Sequence, residues 1–343
     1  MKEPLLECIP NFSEGRNWSV IGAIARAITS VSTVQLLEID SNSDAHRTVM
    51  TFVGKPAEVC QAAFRAIAVA GELIDMRRHK GAHPRIGATD VCPLVPLYHI
   101  SMEETVALAR KLAKQVGNQL QIPVYCYEYA AFSEERRSLP FIRQGEYEGL
   151  AKRMLHFPPD FGPKTFQPKV GATVIGARKI LIAWNCNLAT RDLAIAKAIA
   201  GEIRTSGRKL PGSSHPEKQF LPGKLPAVRA IGWFMPEYNC AQVSTNLIDI
   251  DITPLHVAYE AIVETARKYG TQVIGSELVG LAPLRAFLEA GRYFFTKQGG
   301  TPPTEEAQLI AKAVEVMGLD SIKPFHPEKK IIEYAMQQPS LKF

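Results

Sequence analysis

Apolar positions along the chain switch between a two-residue and a 3.6-residue period, in an order that occurs twice. Residues 5–10 read as a short strand, followed by Asn11-Phe12-Ser13-Glu14-Gly15 as a turn. In 17–30, Val20, Ile21, Ile24, Ala25 and Ile28 fall on one helical face. Residues 34–40 and 47–53 are β-rich runs joined by the polar loop 41–46, a hairpin pattern. Residues 55–76 form an Ala-rich amphipathic helix with Pro56 in its first turn, and a strand ending near Leu97 follows. This β-α-β-β-α-β order belongs to the ferredoxin-like arrangement, two helices on an antiparallel sheet. A helix over 103–115 and the strand Val124–Glu128 come next.

The second half replays the first. A strand over 179–185 leads into a helix over 187–206, with Leu193, Ala196, Ile199, Ala200 and Ile203 on its apolar face. Residues 228–235 and 241–252 make a second hairpin, 254–269 a helix with Pro254 near its start, and 272–278 a closing strand. Ile86-Gly87 and Ile274-Gly275 each lead through an acidic residue, Asp90 or Glu277, to Pro96-Leu97 or Pro283-Leu284. The expected fold is α+β: two ferredoxin-like βαββαβ subdomains from an internal duplication, with a ligand groove between them. The expected divisions are 1–177, 178–330 and a tail at 331–343, with the proline-rich stretch 157–163 as the boundary region. A helix is expected over 304–317. The polar loop 207–226 has no counterpart in the first half, and 211–220 reads as an insertion.

Composition narrows the partners. The 343 residues are 46% hydrophobic and 22% charged, as in an ordinary globular protein. A net charge of +6 suits an anionic small molecule, and no dense Lys/Arg block or basic–aromatic stripe points to nucleic acid. No apolar run approaches the ~18 residues of a membrane span. Cys8, Cys60, Cys92, Cys126, Cys186 and Cys240 form no C-x-x-C pair and lie in or beside apolar runs. Buried reduced thiols and a cytoplasmic location are the expectation.

Chemistry concentrates in 76–96. His79, Lys80, His83, Arg85 and Asp90 stand there between a helix and a strand, with Gly81 and Gly87 among them. Catalytic groups tend to collect on loops held by rigid elements, and His83 is the principal candidate. A zinc site is the first alternative, because His79 and His83 have i, i+4 spacing. Gly81 weakens a helix there, Pro84 pushes His83 toward an extended backbone, and no metal is expected. A loop of solvated charges is the other alternative. No G-x-x-x-x-G-K-[ST], G-x-G-x-x-G after a strand, or G-x-S-x-G occurs, so the usual phosphate cradles and serine-hydrolase elbow are absent. A histidine near cations and carboxylates suffices for moving a group between amines by general acid–base catalysis. Asp40, at the end of a strand, is placed to orient an imidazole, to steady a cationic intermediate or to bond local backbone N–H groups. Arg47, Arg85 and Arg178 are candidates for holding substrate carboxylates.

These residues sit within longer motifs. Cys8-Ile9-Pro10-Asn11-Phe12-Ser13-Glu14-Gly15, Arg47-Thr48-Val49, His83-Pro84-Arg85-Ile86-Gly87-Ala88, Asp160-Phe161-Gly162-Pro163, Gly176-Ala177-Arg178-Lys179, Gln242-Val243-Ser244-Thr245-Asn246 and Gly275-Ser276-Glu277-Leu278 occur in that order. Together they resemble the formiminotransferase domain of formiminotransferase-cyclodeaminase, nearly end to end. The resemblance implies two related α/β subdomains and transfer of a formimino group between N-formimino-L-glutamate and tetrahydrofolate in histidine degradation. Tetrahydrofolate would be a co-substrate, and no metal would be needed. The resemblance makes His83 the catalytic histidine and associates Asp40 with the active site. It makes Gly162, Pro163, Lys164, Thr165, Phe166, Gln167, Pro168, Lys169, Val170 and Gly171 the folate-binding segment. A homodimer is expected. The chain ends soon after the transferase region, so a separate cyclodeaminase is expected too. A formyl transferase on the same scaffold, or a folate-binding module without turnover, are the rival readings.

Overall fold

The computed structural model describes residues 3–209, 220–341 and 343; most of the expected insertion at 211–220 lies outside the described residues. The chain divides into two compact units, one of Met1–Lys179 with Pro339–Phe343 and the other of Ile180–Gln338.

The first unit begins with β1 (Leu5–Cys8), β2 (Asn11–Phe12), α1 (Trp18–Thr29), β3 (Gln35–Asn42), β4 (Arg47–Gly54), α2 (Pro56–Leu73) and β5 (Thr89–Tyr98). β1 lies between β4 and β5 with β3 outside β4, every pair antiparallel, which is the ferredoxin-like order. Asn17 caps α1 by accepting from the backbone of Ser19 and Val20, and Ile21, Ile24, Ala25 and Ile28 are buried beneath it. Asn11 and Phe12, expected in a turn, instead pair with both β4 and β5. α2 stops at Leu73, short of the expected 76, because Ile74 is extended and the Met76 N–H bonds the Lys169 carbonyl at 2.9 Å. At the other end of the chain, Leu341 N–H donates to the Leu36 carbonyl at 3.0 Å, laying the last residues along β3.

An extension then widens this sheet. It comprises α3 (Met102–Gln119), β6 (Val124–Glu128), α4 (Leu139–Ile142), α5 (Glu146–Met154) and β7 (Thr173–Ala177). β7 joins β5, and β6 joins β7, both in parallel. Both faces of this patch are covered. Cys92, Ile175 and Cys126 enter the core shared with α1 and α2, whereas Val91, Val174, Tyr125 and Tyr127 pack with Ile142, Leu150 and Met154. Burial on both faces is what a parallel patch requires. The proline-rich stretch 157–163 lies inside this extension rather than at a boundary. There the Asp160 carboxylate accepts from Cys126 N–H at 2.7 Å and from Arg136 at 2.8 Å.

The second unit repeats the ferredoxin-like order. Its elements are β8 (Ile182–Leu188), α6 (Leu193–Ile203), the short β9 (Arg208–Lys209) and β10 (Phe220–Leu221), β11 (Val228–Met235), β12 (Cys240–Leu247), α7 (Leu255–Lys268) and β13 (Val273–Val279). β8 lies between β12 and β13 with β11 outside β12, again all antiparallel. α6 starts later than the expected 187 because β8, paired on both sides, runs through Leu188, and Asp192 then caps the helix at Ala194. Four helices follow: α8 (Leu284–Lys297), α9 (Glu306–Met317), α10 (Pro327–Lys330) and α11 (Ile332–Ala335). Among them α8 and α9 pack Phe287, Phe294, Ile310 and Met317 into the core around Trp184. Among the described residues no helix is long and apolar enough to cross a membrane.

Candidate active site

The loop between α2 and β5 is held from several sides. Ala88 N–H bonds the Val170 carbonyl at 2.8 Å and Ala172 N–H the Ile86 carbonyl at 3.0 Å. The segment 162–171 is thereby tied to the loop that carries His83. Gly87 and Gly171 face each other at this crossing, and a Cβ on either would come within 2.1 Å of a backbone oxygen, so no larger residue fits. Ser13 Oγ donates to the Gly87 carbonyl at 2.7 Å, and the buried Asp90 accepts from Ile86 N–H at 2.9 Å.

Within this frame the structure brings His83 and Arg47 together. The Arg47 Nη1 donates to His83 Nε2, so the neutral ring carries its proton on Nδ1. Burial, then the nearby charges of Arg47 and Arg143, hold the imidazole pKa down to about 3. Burial and Arg143 also lower the pKa of Arg47, while Asp90 and Asp40 act on it in the opposite sense. Asp40 stands on β3 opposite Val49. Arg143, just after α4, is clamped on Asp90, its Nε 3.3 Å from Oδ1 and its Nη2 bonded to Oδ2. The resulting cluster is a neutral histidine beside two guanidinium groups, with two carboxylates around them. Arg143 carries no local signal in the sequence, because its partner is distant along the chain.

Arg85 and Arg178 are engaged elsewhere. Arg85 donates to His79 Nδ1 at 3.1 Å, to Glu146 at 3.2 Å and to both oxygens of Glu148 at 2.8 and 2.6 Å. His79 Nε2 donates to the His46 carbonyl at 2.9 Å, and the two imidazole rings stack at 4.3 Å. His46 in turn reaches Glu14 and the Lys80 carbonyl, both at 3.1 Å. This network braces the loop against the β3–β4 hairpin. His79 and His83 therefore share no helix, and their rings bond different partners. Arg178 follows β7 and donates to the Lys179 carbonyl at 3.0 Å. A cleft of about 560 Å³ opens beside Lys80, Gly81, Arg85, Gly145, Glu146 and Glu148. His83 is not among its lining residues, so this opening and the His83 cluster do not coincide. The chemistry weighs more here than the volume.

In the segment 162–171, Gly162 and Gly171 adopt φ of +80° and +68°, which favours glycine. Phe166 packs on Tyr147 at 5.5 Å, and the Tyr147 hydroxyl donates to the Pro168 carbonyl at 2.6 Å. Val170 is half-buried and Gln167 turns back onto Thr165, while Lys164, Thr165, Pro168 and Lys169 are exposed. Pro163 is half-buried beside Gly162. The Lys169 Nζ is drawn to the Glu72 carbonyl at 2.7 Å.

The second unit carries a polar group that the sequence reading did not assign. Glu277 on β13 accepts from Asn185 at 3.1 Å, Gln242 at 3.2 Å and the Tyr238 hydroxyl at 3.1 Å. Gln242 also donates to Asn187, and its own amide oxygen is buried without a partner. Two-residue alternation on β8 and β12 places these amides on one sheet face, and that alternation is visible in Asn185-Cys186-Asn187.

The structure thus sets a neutral imidazole among cations on a duplicated α+β scaffold. The family match narrows this. The N-terminal subdomain of the formiminotransferase domain matches residues 5–178, and the formiminotransferase domain matches 183–337. The chain belongs to the formiminotransferase family. It is 48% identical to the formimidoyltransferase-cyclodeaminase of Gallus gallus, over 97% of this chain and 60% of that protein. It is 40% identical to the glutamate formimidoyltransferase of Thermoplasma acidophilum, over 91% of this chain and 97% of that one. For the glutamate formimidoyltransferase of Streptococcus pyogenes serotype M1 the values are 38%, 84% and 93%. The chain thus spans about 60% of the length of its cyclodeaminase-bearing relatives and nearly the whole of the shorter ones.

Proposed function

We propose that this protein is a glutamate formimidoyltransferase, moving the formimino group between N-formimino-L-glutamate and tetrahydrofolate with His83 as general acid–base. The observation that carries this reading is the unprotonated His83 Nε2 set beside Arg47 and Arg143, on a loop bonded directly to 162–171. The tetrahydrofolate N5 attacks the formimino carbon, and its proton passes to His83 Nε2. The tetrahedral carbon then collapses, its bond to the glutamate nitrogen breaks, and that nitrogen takes the proton back from His83. One proton is accepted and one returned, so the ring ends each turnover neutral. Arg47, whose guanidinium makes its described hydrogen bond only to the imidazole, is the best placed of the candidate arginines to hold a substrate carboxylate. Arg85, saturated by Glu146, Glu148 and His79, serves to hold the loop. Asp40 steadies the positive charge that develops on the amidine carbon. The segment 162–171 holds the folate, with Phe166 packing on its rings. The test is turnover of tetrahydrofolate with N-formimino- or N-formyl-L-glutamate as donor. Transfer from the formimino donor alone is expected; turnover with neither donor overturns the assignment.

A further inference from the structure

The same contact that identifies the base also blocks it. A general base must present a lone pair to the attacking amine, yet the Nε2 lone pair of His83 is occupied by an Arg47 N–H. The other ring nitrogen carries the proton and has no lone pair in the ring plane. We propose that Arg47 is a gate on His83, and that the carboxylate of the incoming amino-acid substrate opens it by drawing the guanidinium off Nε2. This deepens the formimidoyltransferase reading and rests on it.

Three features support the gate. Arg47 has no carboxylate in its described hydrogen bonds, although it is largely buried beside a second guanidinium. Arg143 spends two of its donors on Asp90, so the positive charge left uncompensated at His83 is chiefly that of Arg47. A guanidinium resting on a neutral imidazole is held by one hydrogen bond. A carboxylate offers it two parallel bonds, with opposite charge on the acceptor as well. The exchange also changes the base itself. The groups acting on the ring are Arg47, Arg143 and the hydrogen bond at Pro84, with Asp90 and Asp40 acting on Arg47. A substrate carboxylate paired with Arg47 cancels its charge at the ring, so the imidazolium becomes more accessible only when the amino-acid substrate is in place.

Titration of the His83 imidazole by NMR, in the intact protein with and without saturating L-glutamate, tests the gate. In the free wild type the ring is expected to stay neutral down to pH 5, and with glutamate to titrate at a measurably higher pH than without it. Arg47→Gln is expected to titrate above the free wild type without glutamate, and glutamate then shifts it no further. Arg47→Lys, which keeps the charge but loses the fork, tests the same point should the glutamine variant fail to fold; it is expected to show a reduced glutamate shift. A wild-type ring that ignores glutamate, while calorimetry shows glutamate bound, overturns the gate. So does a free wild-type ring that titrates normally. Transfer assays separate this failure from that of the activity: turnover without the shift sinks the gate alone, and a shift without turnover sinks the formimidoyltransferase assignment alone.

Discussion

The two units share one strand order, yet they are equipped for different chemistry. In the first, the polar cluster beside β5 consists of His83, Arg47, Arg143, Asp90 and Asp40, groups that carry or move protons and charge. In the second, the cluster beside β13 is a single carboxylate, Glu277, surrounded by Asn185, Gln242 and Tyr238. The duplicated core supplies only part of the difference. Arg143, Glu146 and Glu148 come from the extension at 102–177, and so does the segment 162–171 that clamps the His83 loop. His83, Arg47, Asp40 and Asp90 thus stand on elements of the repeated core, and the uncopied extension adds Arg143 and the segment that braces the loop. In the second unit the chain beyond β13 adds α8 and α9 to the helical side of the core instead.

The largest effect expected from breaking this comparison is on turnover. His83→Ala should lower kcat by about 10²–10⁴, the range for losing one general acid–base. Glu277→Gln keeps the size and most of the hydrogen bonds of its network. It should cost kcat less than about tenfold if acid–base work is confined to the first unit. Parallel steady-state measurements on the two variants decide the matter, and a larger loss at Glu277 would put proton transfer in the wrong unit.

Stability comes next. Asp90 is 2% exposed and Arg143 14%, so Asp90→Ala leaves a largely buried guanidinium without its counter-charge. Losses of this kind run to about 3–5 kcal/mol. Asp90 also bonds Ile86 N–H, so the loop should loosen as well. Glu277→Gln should cost about 1 kcal/mol, since the amide retains an acceptor for Asn185. Urea denaturation of both variants measures the contrast. Equal losses would mean the ion pair contributes no more than the neutral network.

Much of this architecture was legible from periodicity, and the exceptions have physical causes. β11 spans 228–235, as the alternation predicts, because it is an edge strand with one face buried. β7 escaped because Thr173-Val174-Ile175, buried on both faces, shows no alternation. α5 was hidden by Gly149 in a short helix, though Tyr147, Leu150 and Met154 keep helical spacing. α8 had a readable signal in Leu284, Phe287, Leu288 and Phe294, preceded by Pro283. At the site, His83 was visible as a titratable residue in a framed loop. The clamp of Arg143 on Asp90 was not, since a contact between residues 53 apart leaves no local pattern. Arg47 and Arg85 look alike in the sequence. Only packing shows that one rests on an imidazole while the other is saturated by two glutamates.

The smallest effect concerns pH, and its sign follows from the direction of the shift. His83 has an ordinary pKa of 6.5 and a folded value of about 3, so between those limits the unfolded chain binds the proton and the folded one does not. Stability therefore rises with pH through this window, and it is lost as pH falls from 6.5 toward 3. His79 shifts in the same direction through burial, and so does His256 in the second unit. Glu14, Glu148 and Glu202 have lowered pKa values, so their contributions fade only below about 4.5, their ordinary value. Between pH 6.5 and 4.5 the slope reports the histidines. One histidine kept neutral contributes at most about 1.4 kcal/mol per pH unit, and partial exposure brings His83 nearer about 1. His83→Gln should flatten the wild-type slope by that amount and His256→Gln by less, because burial lowers the His256 pKa while Glu289 and Glu260 oppose the shift. Arg47→Gln should flatten it too, by letting His83 protonate in the folded state. Stability measured at half-unit steps across this window resolves the three slopes. If His256→Gln flattens the curve as much as His83→Gln does, the cations beside His83 add nothing to its neutrality.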